Sequence, residues 1–168
     1  LPPLLGLIES SDAGRTWKPI SLLGEADFHV LRSAGKHVYG YDASGDRLLV
    51  SDDSGRSWDE LARAGPLVDL AVAPLTPGRV VATSAGGLQD GLFRSADAGR
   101  SWTRIGAVVG LLAWPAADRL YLVAGGGQVF RSTDAGLSFE HVGDIEFSAA
   151  FDIDTNKETG ELIGEASL

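Results

Sequence analysis

An eight-residue phrase occurs four times along this chain and constrains its fold more than any other feature. The copies are Ser10–Trp17, Ser51–Trp58, Ser95–Trp102 and Ser132–Phe139, and they follow one another at intervals of about 40 residues. A repeat of ~40 residues is the length of one supersecondary unit of several short strands, and such units bury their apolar faces by stacking on one another. The chain is therefore predicted to be a stack of similar units.

The positions that the copies share have structural explanations. They are an opening serine, an aspartate, a glycine and a closing aromatic residue: Ser10, Asp12, Gly14 and Trp17; Ser51, Asp53, Gly55 and Trp58; Ser95, Asp97, Gly99 and Trp102; Ser132, Asp134, Gly136 and Phe139. The aspartate and serine side chains can accept hydrogen bonds from the backbone of a turn. Glycine tolerates a positive φ, and the aromatic ring buries a large apolar surface between sheets. These residues are predicted to stabilise turns rather than to act in catalysis or ligand binding.

The four octapeptides resemble the Asp-box, or bacterial neuraminidase repeat, with the pattern Ser/Thr-x-Asp-x-Gly-x-Thr/Ser-Trp/Phe. We refer to them as boxes 1 to 4. The resemblance implies a β-propeller of four-stranded antiparallel blades, with each box in the turn between strands three and four. Asp-boxes occur in sialidases and other glycosidases, in sortilin-type receptors and in photosystem II assembly factors. The resemblance therefore implies a fold and leaves the function open.

Short apolar runs bounded by Gly, Pro and Asp indicate three strands before each of boxes 2, 3 and 4, and a fourth strand after each box. The predicted strands are Phe28–Arg32, Val38–Tyr41, Leu48–Val50, Leu67–Ala73, Val80–Thr83, Leu92–Arg94, Val109–Trp114, Leu120–Val123 and Val129–Arg131. No segment shows helical periodicity, so the chain is predicted to be all-β. The expected units are 23–64, 65–106 and 107–146, with half-units at 1–22 and 147–168.

The two half-units are complementary. Leu4–Glu9 and Trp17–Leu22 supply a third and a fourth strand, whereas Phe147–Ile153 and Glu161–Ala166 supply a first and a second. The ends can therefore pair and close a four-bladed ring, or the chain can be an arc of a longer propeller with the capacity to self-associate. We favour the arc, because families with this box generally have six or more blades and the chain contains no methionine.

Composition excludes several classes of function. The net charge is −9 and the basic residues are dispersed, which argues against nucleic acid as a partner. The longest apolar run, Ala107–Pro115, is far shorter than the ~20 residues of a membrane-spanning helix. The absence of cysteine excludes disulfides and thiolate chemistry. An extracytoplasmic location is implied by the resemblance alone.

A catalytic site is not recognisable. Arg32, Tyr39, Tyr41, Asp69 and Tyr121 are the candidates for a sialidase-like site, which needs a tyrosine nucleophile, a carboxylic acid and arginines that bind the substrate carboxylate. None of them lies in a sequence context that matches sialidase catalytic motifs, and we assign no catalytic residue. The alternative remains that the chain is a segment of a sialidase-like exo-glycoside hydrolase whose catalytic residues lie mostly outside it.

Metal and cofactor sites are not predicted either. Asp152, Asp154 and Asn156 alternate as calcium ligands do, but Lys157 and Ile163 occupy the positions of the expected Gly and Glu, so a polar hairpin loop is the better interpretation. The three histidines, His29, His37 and His141, lack zinc-site spacing. The glycines at 125–127 are not followed by the Lys-Ser/Thr of a phosphate-binding loop.

The favoured hypothesis is a non-catalytic binding or scaffolding module. Its ligand surface is expected on the loops opposite the boxes, around Ser33–Lys36, Pro74–Gly78 and Pro115–Asp118. These loops carry no charged or aromatic cluster that identifies the partner. A protein is the first expectation and a glycan the second.

Overall fold

A computed structural model describes residues 4–62, 65–87, 90–146, 151–155 and 162–166, the last two ranges as backbone only. Within these ranges the regular elements are β-strands, and no described segment is helical. The prediction of an all-β chain is confirmed. No helix that could cross a membrane was found in the described part of the chain.

The strands form antiparallel sheets in chain order. Sheet I contains β3 (Phe28–Ala34), β4 (His37–Asp42), β5 (Arg47–Ser51) and β6 (Asp59–Leu61). Sheet II contains β7 (Leu67–Val72), β8 (Val80–Ser84), β9 (Gly91–Ser95) and β10 (Thr103–Gly106). Sheet III contains β11 (Gly110–Ala116), β12 (Arg119–Ala124), β13 (Gln128–Ser132) and β14 (Glu140–Asp144). Boxes 2, 3 and 4 each connect the third strand of their sheet to the fourth.

The ends of the chain form two separate strand pairs. The N-terminal pair is β1 (Leu7–Glu9) with β2 (Lys18–Ser21), and the C-terminal pair is β15 (Phe151–Thr155) with β16 (Leu162–Ala166). The two pairs do not combine into one four-stranded sheet. Asp154 lies within β15 rather than in a loop, whereas Asn156 and Lys157 lie outside the described residues.

Two apolar cores lie between the sheets. The first joins sheets I and II around Tyr39, Leu48 and Leu70. The second joins sheets II and III and includes Leu112 and Leu120. Sheet II is covered on both faces. This explains why every residue of β8 is buried and why buried and exposed positions do not alternate along this strand. Burial of each large side chain contributes ~1.5–3 kcal/mol, so stacking of the sheets provides most of the stabilisation.

The prediction that the loops at Ser33–Lys36, Pro74–Gly78 and Pro115–Asp118 lie opposite the boxes is wrong. Successive strands of an antiparallel sheet run in opposite directions, so the connection between strands one and two leaves the sheet at the same end as the connection between strands three and four. The backbone shows this directly. Ser54 N in box 2 donates to Lys36 O at 2.9 Å, and Ala98 N in box 3 donates to Gly78 O at 2.8 Å.

We call the end of the sheets that carries the boxes the box face and the other end the distal face. In the described residues, the distal face includes the connections between strands two and three, at 43–46, 85–87, 90 and 125–127, and the segments between sheets, at 22–27, 62, 65–66 and 107–109. Hydrogen bonds link the two kinds of segment: Ala43 N donates to Asp27 O at 2.9 Å, and Ala85 N donates to Pro66 O at 3.1 Å.

Candidate functional site

The box residues are used within their own turns. In box 3, Ser95 Oγ donates to Asp97 Oδ1 at 2.8 Å and accepts from Gly99 N at 2.8 Å. Asp97 also accepts from Ser101 N at 2.9 Å and from Ser101 Oγ at 2.6 Å. These bonds, with the Ser101 hydroxyl as the largest cause, lower the pKa of Asp97 to about 2. A carboxylate held this way is a hydrogen-bond acceptor for the backbone and is not a free acid or base.

The backbone of each box requires its glycine. Gly14, Gly55, Gly99 and Gly136 have φ between 81° and 84°. The residue before each glycine, such as Ala98 with φ 61°, also lies in the left-handed region. Two consecutive positive φ values reverse the chain within the box, and only glycine adopts the second without strain.

Among the five residues considered for catalysis, Arg32 and Asp69 meet. Arg32 Nη2 in β3 donates to Asp69 Oδ1 in β7 at 2.6 Å. The same carboxylate accepts from Leu70 N at 2.8 Å and, through Oδ2, from Leu112 N in β11 at 2.8 Å. Asp69 is buried and therefore joins the first strands of three sheets. With both oxygens engaged, its carboxylate is a structural link.

The three tyrosines do not join this pair. Tyr39 is buried in the first core, and its hydroxyl donates to Pro77 O at 2.9 Å. Burial raises the pKa of Tyr39 to about 12, which is the opposite of what a tyrosine nucleophile needs. Tyr41 donates to Asp46 Oδ1 at 2.6 Å, and Tyr121 is half-buried opposite Arg131 in sheet III. The structure therefore does not assemble the sialidase-like group from these residues.

Beside Arg32, a cleft of about 400 Å³ opens between the first strands of the sheets. It is lined by the C-terminal parts of β3, β7 and β11, which end on the box face, and its walls include Ser33, Val72, Trp114 and Pro115. Trp114 is nearly buried, and its indole N–H has no hydrogen-bond partner among the described residues. The lining contains no carboxyl group.

A second cleft of about 370 Å³ lies on the distal face. Its lining is apolar and comes from the start of β7, the start of β11 and the end of β12: Val68, Val109, Gly110, Leu111, Val123, Ala124 and Gly125. Leu111 is 62% exposed and Val68 is 37% exposed. Sequence analysis missed this cleft. The sequence signal for it was the apolar run at 107–109 that continues into β11. In this run apolar residues occupy consecutive positions, whereas a strand with one buried face needs them only at alternate positions.

The charged side chains on the described part of the distal face are predominantly acidic. Exposed or half-exposed carboxylates occur there at Glu25, Asp27, Asp46, Asp90, Asp144 and Glu146. The basic residues nearest in sequence are already engaged: Arg47 pairs with buried Asp42 at 2.7 Å, and Arg104 donates to Asp90 O. The apolar cleft therefore opens on a surface with a negative potential.

Neither histidines nor carboxylates form a metal centre in the part of the chain that the structure describes. His29, His37 and His141 each contact one aspartate, at Asp27, Asp52 and Asp144 respectively. Within the described ranges, no group of three His, Asp or Glu side chains could hold a metal ion. The side chains of residues 152–156, where sequence analysis favoured a polar hairpin loop over a calcium loop, lie outside the described residues.

The first strands of the three sheets, β3, β7 and β11, lie side by side. Four-stranded antiparallel sheets stacked in this way define the class of the protein as a β-propeller fold. No protein-family profile and no curated protein matches the chain.

Solved structures that are similar to the chain agree with this class. YCF48 from Cyanidioschyzon merolae matches 86% of this chain and 51% of its own length, with a TM-score of 0.56 and 13% identity. A GH74 enzyme of Niastella koreensis matches 89% of this chain and 28% of its own, with a TM-score of 0.57 and 17% identity. The GH74 xyloglucanase from Xanthomonas campestris matches 76% and 21%, with a TM-score of 0.56 and 23% identity. The chain thus spans about half or less of these proteins, and the likeness shows the fold alone.

Proposed function

We propose that the chain is a non-catalytic binding module that recognises a protein partner through its distal face. This location follows the expectation of a ligand surface opposite the boxes, but the segments that form it are those of the distal face rather than the loops named from sequence. The resemblance of the boxes supports an extracytoplasmic location for this interaction. Glycan recognition is the second candidate for the same surface.

The observation that carries the proposal is the apolar cleft with Leu111 and Val68 at its mouth. An exposed leucine and valine around a concave apolar surface provide an anchor site for one or two apolar side chains of a partner. Full burial of an apolar side chain contributes ~1.5–3 kcal/mol, which corresponds to about a tenfold to hundredfold change in affinity.

The alternative function is that of a segment of a sialidase-like exo-glycoside hydrolase. Glycoside hydrolysis generally needs a second catalytic group close to the acid. The described linings of both clefts contain no carboxyl group, and the nearby carboxylate of Asp69 has both oxygens engaged. These observations support binding over catalysis, and the alternative assumes that its catalytic residues lie mostly outside this chain.

The test uses random dodecapeptides displayed on phage and selected on the purified chain. Synthetic copies of the enriched peptides are then titrated against the chain and against two leucine variants. Leu111→Lys places a charge in the distal cleft and is expected to weaken binding at least tenfold. Leu75→Lys is the matched control, because Leu75 is 80% exposed and lies on the box face, in the connection between β7 and β8.

Peptides whose affinity is equal for the parent and Leu111→Lys would place recognition elsewhere and refute the proposal. A glycan array probed with the same three proteins tests the second candidate, since glycan binding that is lost only in Leu111→Lys assigns the cleft to a glycan. Fluorogenic sialosides and other glycosides test the hydrolase alternative, and product release by the parent chain would show catalysis.

A further inference from the structure

The cleft on the box face, beside Arg32, is not used by the recognition proposed for the distal face. Its walls come from the C-terminal parts of β3, β7 and β11, and none of its lining residues belongs to the terminal strand pairs. Its volume of about 400 Å³ lies within the ~300–1,000 Å³ of clefts that hold small molecules. Sheets I, II and III therefore form a cleft that is large enough for a small ligand.

Trp114 in the wall of this cleft has an unused hydrogen-bond donor. The residue is 9% exposed, and its indole N–H is buried without a partner among the described residues. The other three tryptophans each donate the indole N–H to a protein oxygen: Trp17 to Gly14, Trp58 to Ser21 and Trp102 to Ala62. A buried donor without an acceptor is unfavourable, and an oxygen atom of a ligand would supply the missing partner.

Arg32 also has donors that the described residues do not use. Its Nη2 donates to Asp69 Oδ1 at 2.6 Å, and its Nη1 donates to Leu31 O at 2.9 Å. A guanidinium group has five N–H groups, so three of them have no partner in the described part of the chain. The side chain is 41% exposed and lines the cleft. Such N–H groups bind an anionic oxygen more strongly than a neutral one, because the hydrogen bond is charge-assisted.

Basic residues surround the mouth of the cleft. An exposed one follows each lining strand: Lys36 after β3, Arg79 after β7 and Arg119 after β11. The backbone holds Arg79 at the end of β7, since Ala73 N donates to Arg79 O at 2.9 Å. The acidic residue on these three connections is Asp118, which lies 3.7 Å from Arg119. The side chains closest to the mouth along the chain are therefore mainly cationic.

The carboxylates of the neighbouring boxes have cations beside them. Arg56 donates to Asp53 O in box 2, and Arg100 donates to Asp97 O in box 3. Asp52 of box 2 contacts a histidine ring of β4. The mouth of the cleft thus has a positive local potential, although the chain has a net charge of −9.

From these features we infer that the box-face cleft binds a small organic anion with an apolar body. The anionic group pairs with the unused N–H groups of Arg32, and the basic residues at the mouth attract it. The apolar body lies against Val72, Leu112 and Pro115, and an oxygen of the same ligand accepts from Trp114 Nε1. This cleft and the distal cleft are separate, so the inference does not depend on the proposed function.

Nuclear magnetic resonance of the 168-residue chain tests the inference, with sodium 1-naphthoate as the probe. The indole N–H peak of Trp114 is expected to shift saturably, while the other three indole peaks stay, because their N–H groups are already bonded. The amide peaks of Ser33 and Ala113 should shift with it, whereas those of Val68 and Val123 at the distal cleft should not. 1-Naphthamide has the same rings without the charge and is expected to bind at least about tenfold more weakly.

Charge-reversal variants test the basic mouth without changing the walls of the cleft. Lys36→Glu/Arg79→Glu is expected to weaken 1-naphthoate binding at least about tenfold and to leave 1-naphthamide binding unchanged. Arg15→Glu/Lys18→Glu is the matched control, because it makes the same change of charge at exposed positions outside the sheets that line the cleft. Its affinity for 1-naphthoate should stay within about twofold of the parent at ~0.15 M salt. Circular dichroism shows whether each variant keeps the fold.

Four results would overturn the inference. The first is a Trp114 indole peak that does not move up to about 10 mM 1-naphthoate. The second is equal affinity for 1-naphthoate and 1-naphthamide, since the charge would then play no part. The third is a set of shifts confined to Val68 and Val123, which would put the probe in the distal cleft. The fourth is equal weakening by both double variants, because only the overall charge would then matter.

Discussion

Asp69 is the residue whose replacement tests the architecture most directly, because its carboxylate joins three sheets. It accepts hydrogen bonds from Arg32 Nη2, Leu70 N and Leu112 N, at 2.6, 2.8 and 2.8 Å. In Asp69→Asn the side chain keeps its size but has one oxygen and one NH₂ group. Since the partners on both sides are donors, the NH₂ group must face either Arg32 or Leu112 N.

The cost can be worked out from these contacts. One buried hydrogen bond is lost and a buried donor is left without a partner, which costs ~1–3 kcal/mol. The charge that pairs with Arg32 is also lost, and removal of one partner of a buried pair costs ~3–5 kcal/mol. Because Arg32 remains partly exposed to water, we expect a total near ~3 kcal/mol. For a domain of this size that lowers Tm by roughly 6–12 °C.

Thermal unfolding followed by circular dichroism measures this effect. Asp118→Asn is the matched control, since Asp118 is 79% exposed and its contact with Arg119 is long, at 3.7 Å. We expect its Tm to stay within about 2 °C of the parent. Arg32→Met leaves the buried carboxylate of Asp69 with two backbone donors but without its cation, so it should also lower Tm clearly, because a buried charge then has no counter-charge. A Tm for Asp69→Asn within 2 °C of the parent would refute the reasoning.

Two further predictions concern the boxes. Gly99→Ala should lower Tm more than Gly14→Ala: both glycines have a positive φ, but the new Cβ would lie 2.7 Å from Leu61 at Gly99 and no closer than 3.8 Å to Trp17 at Gly14. Equal losses of Tm would show that only the φ strain matters. Stability should also fall in acid, because hydrogen bonds lower the pKa of Asp12, Asp97 and Asp134 from 3.8 to about 2. The unfolded chain binds more protons in this range, so the stabilisation is complete above pH ~4 and is lost as pH falls towards 2; a Tm constant from pH 5 to pH 2.5 would contradict this.

Much of the local structure could be predicted from sequence because it depends on residues close together in the chain. The pattern Ser-x-Asp-x-Gly supplies the acceptors and the glycine of each turn within five residues, and the turns at Asp12 and Asp97 have the same hydrogen bonds. The strands before each box were predicted for a similar reason. Breakers such as Pro74 and the glycines at 125–127 end the apolar runs where the strands end, to within a few residues.

The candidate site was predicted less well, since it depends on which end of a sheet each connection leaves. The loops at Ser33–Lys36 and Pro74–Gly78 were placed opposite the boxes, but the antiparallel order of the strands puts them beside the boxes. The distal cleft contains residues from β7, β11 and β12, which are brought together only by the stacking of two sheets. No local pattern around Leu111 or Val68 identifies the other as its neighbour.

The sequence by itself determined the repeat, the turns and the all-β character, because these arise from hydrogen bonds and backbone preferences within a few residues. The tertiary structure decided which surfaces remain open. Trp17 and Trp102 occupy equivalent positions in their boxes, yet Trp102 is partly covered by the fourth strand of sheet I and Trp17 is 58% exposed. The physical reason is that exposure depends on the strands that pack against a box, so equivalent residues in closely similar boxes differ in exposure when the packing around them differs.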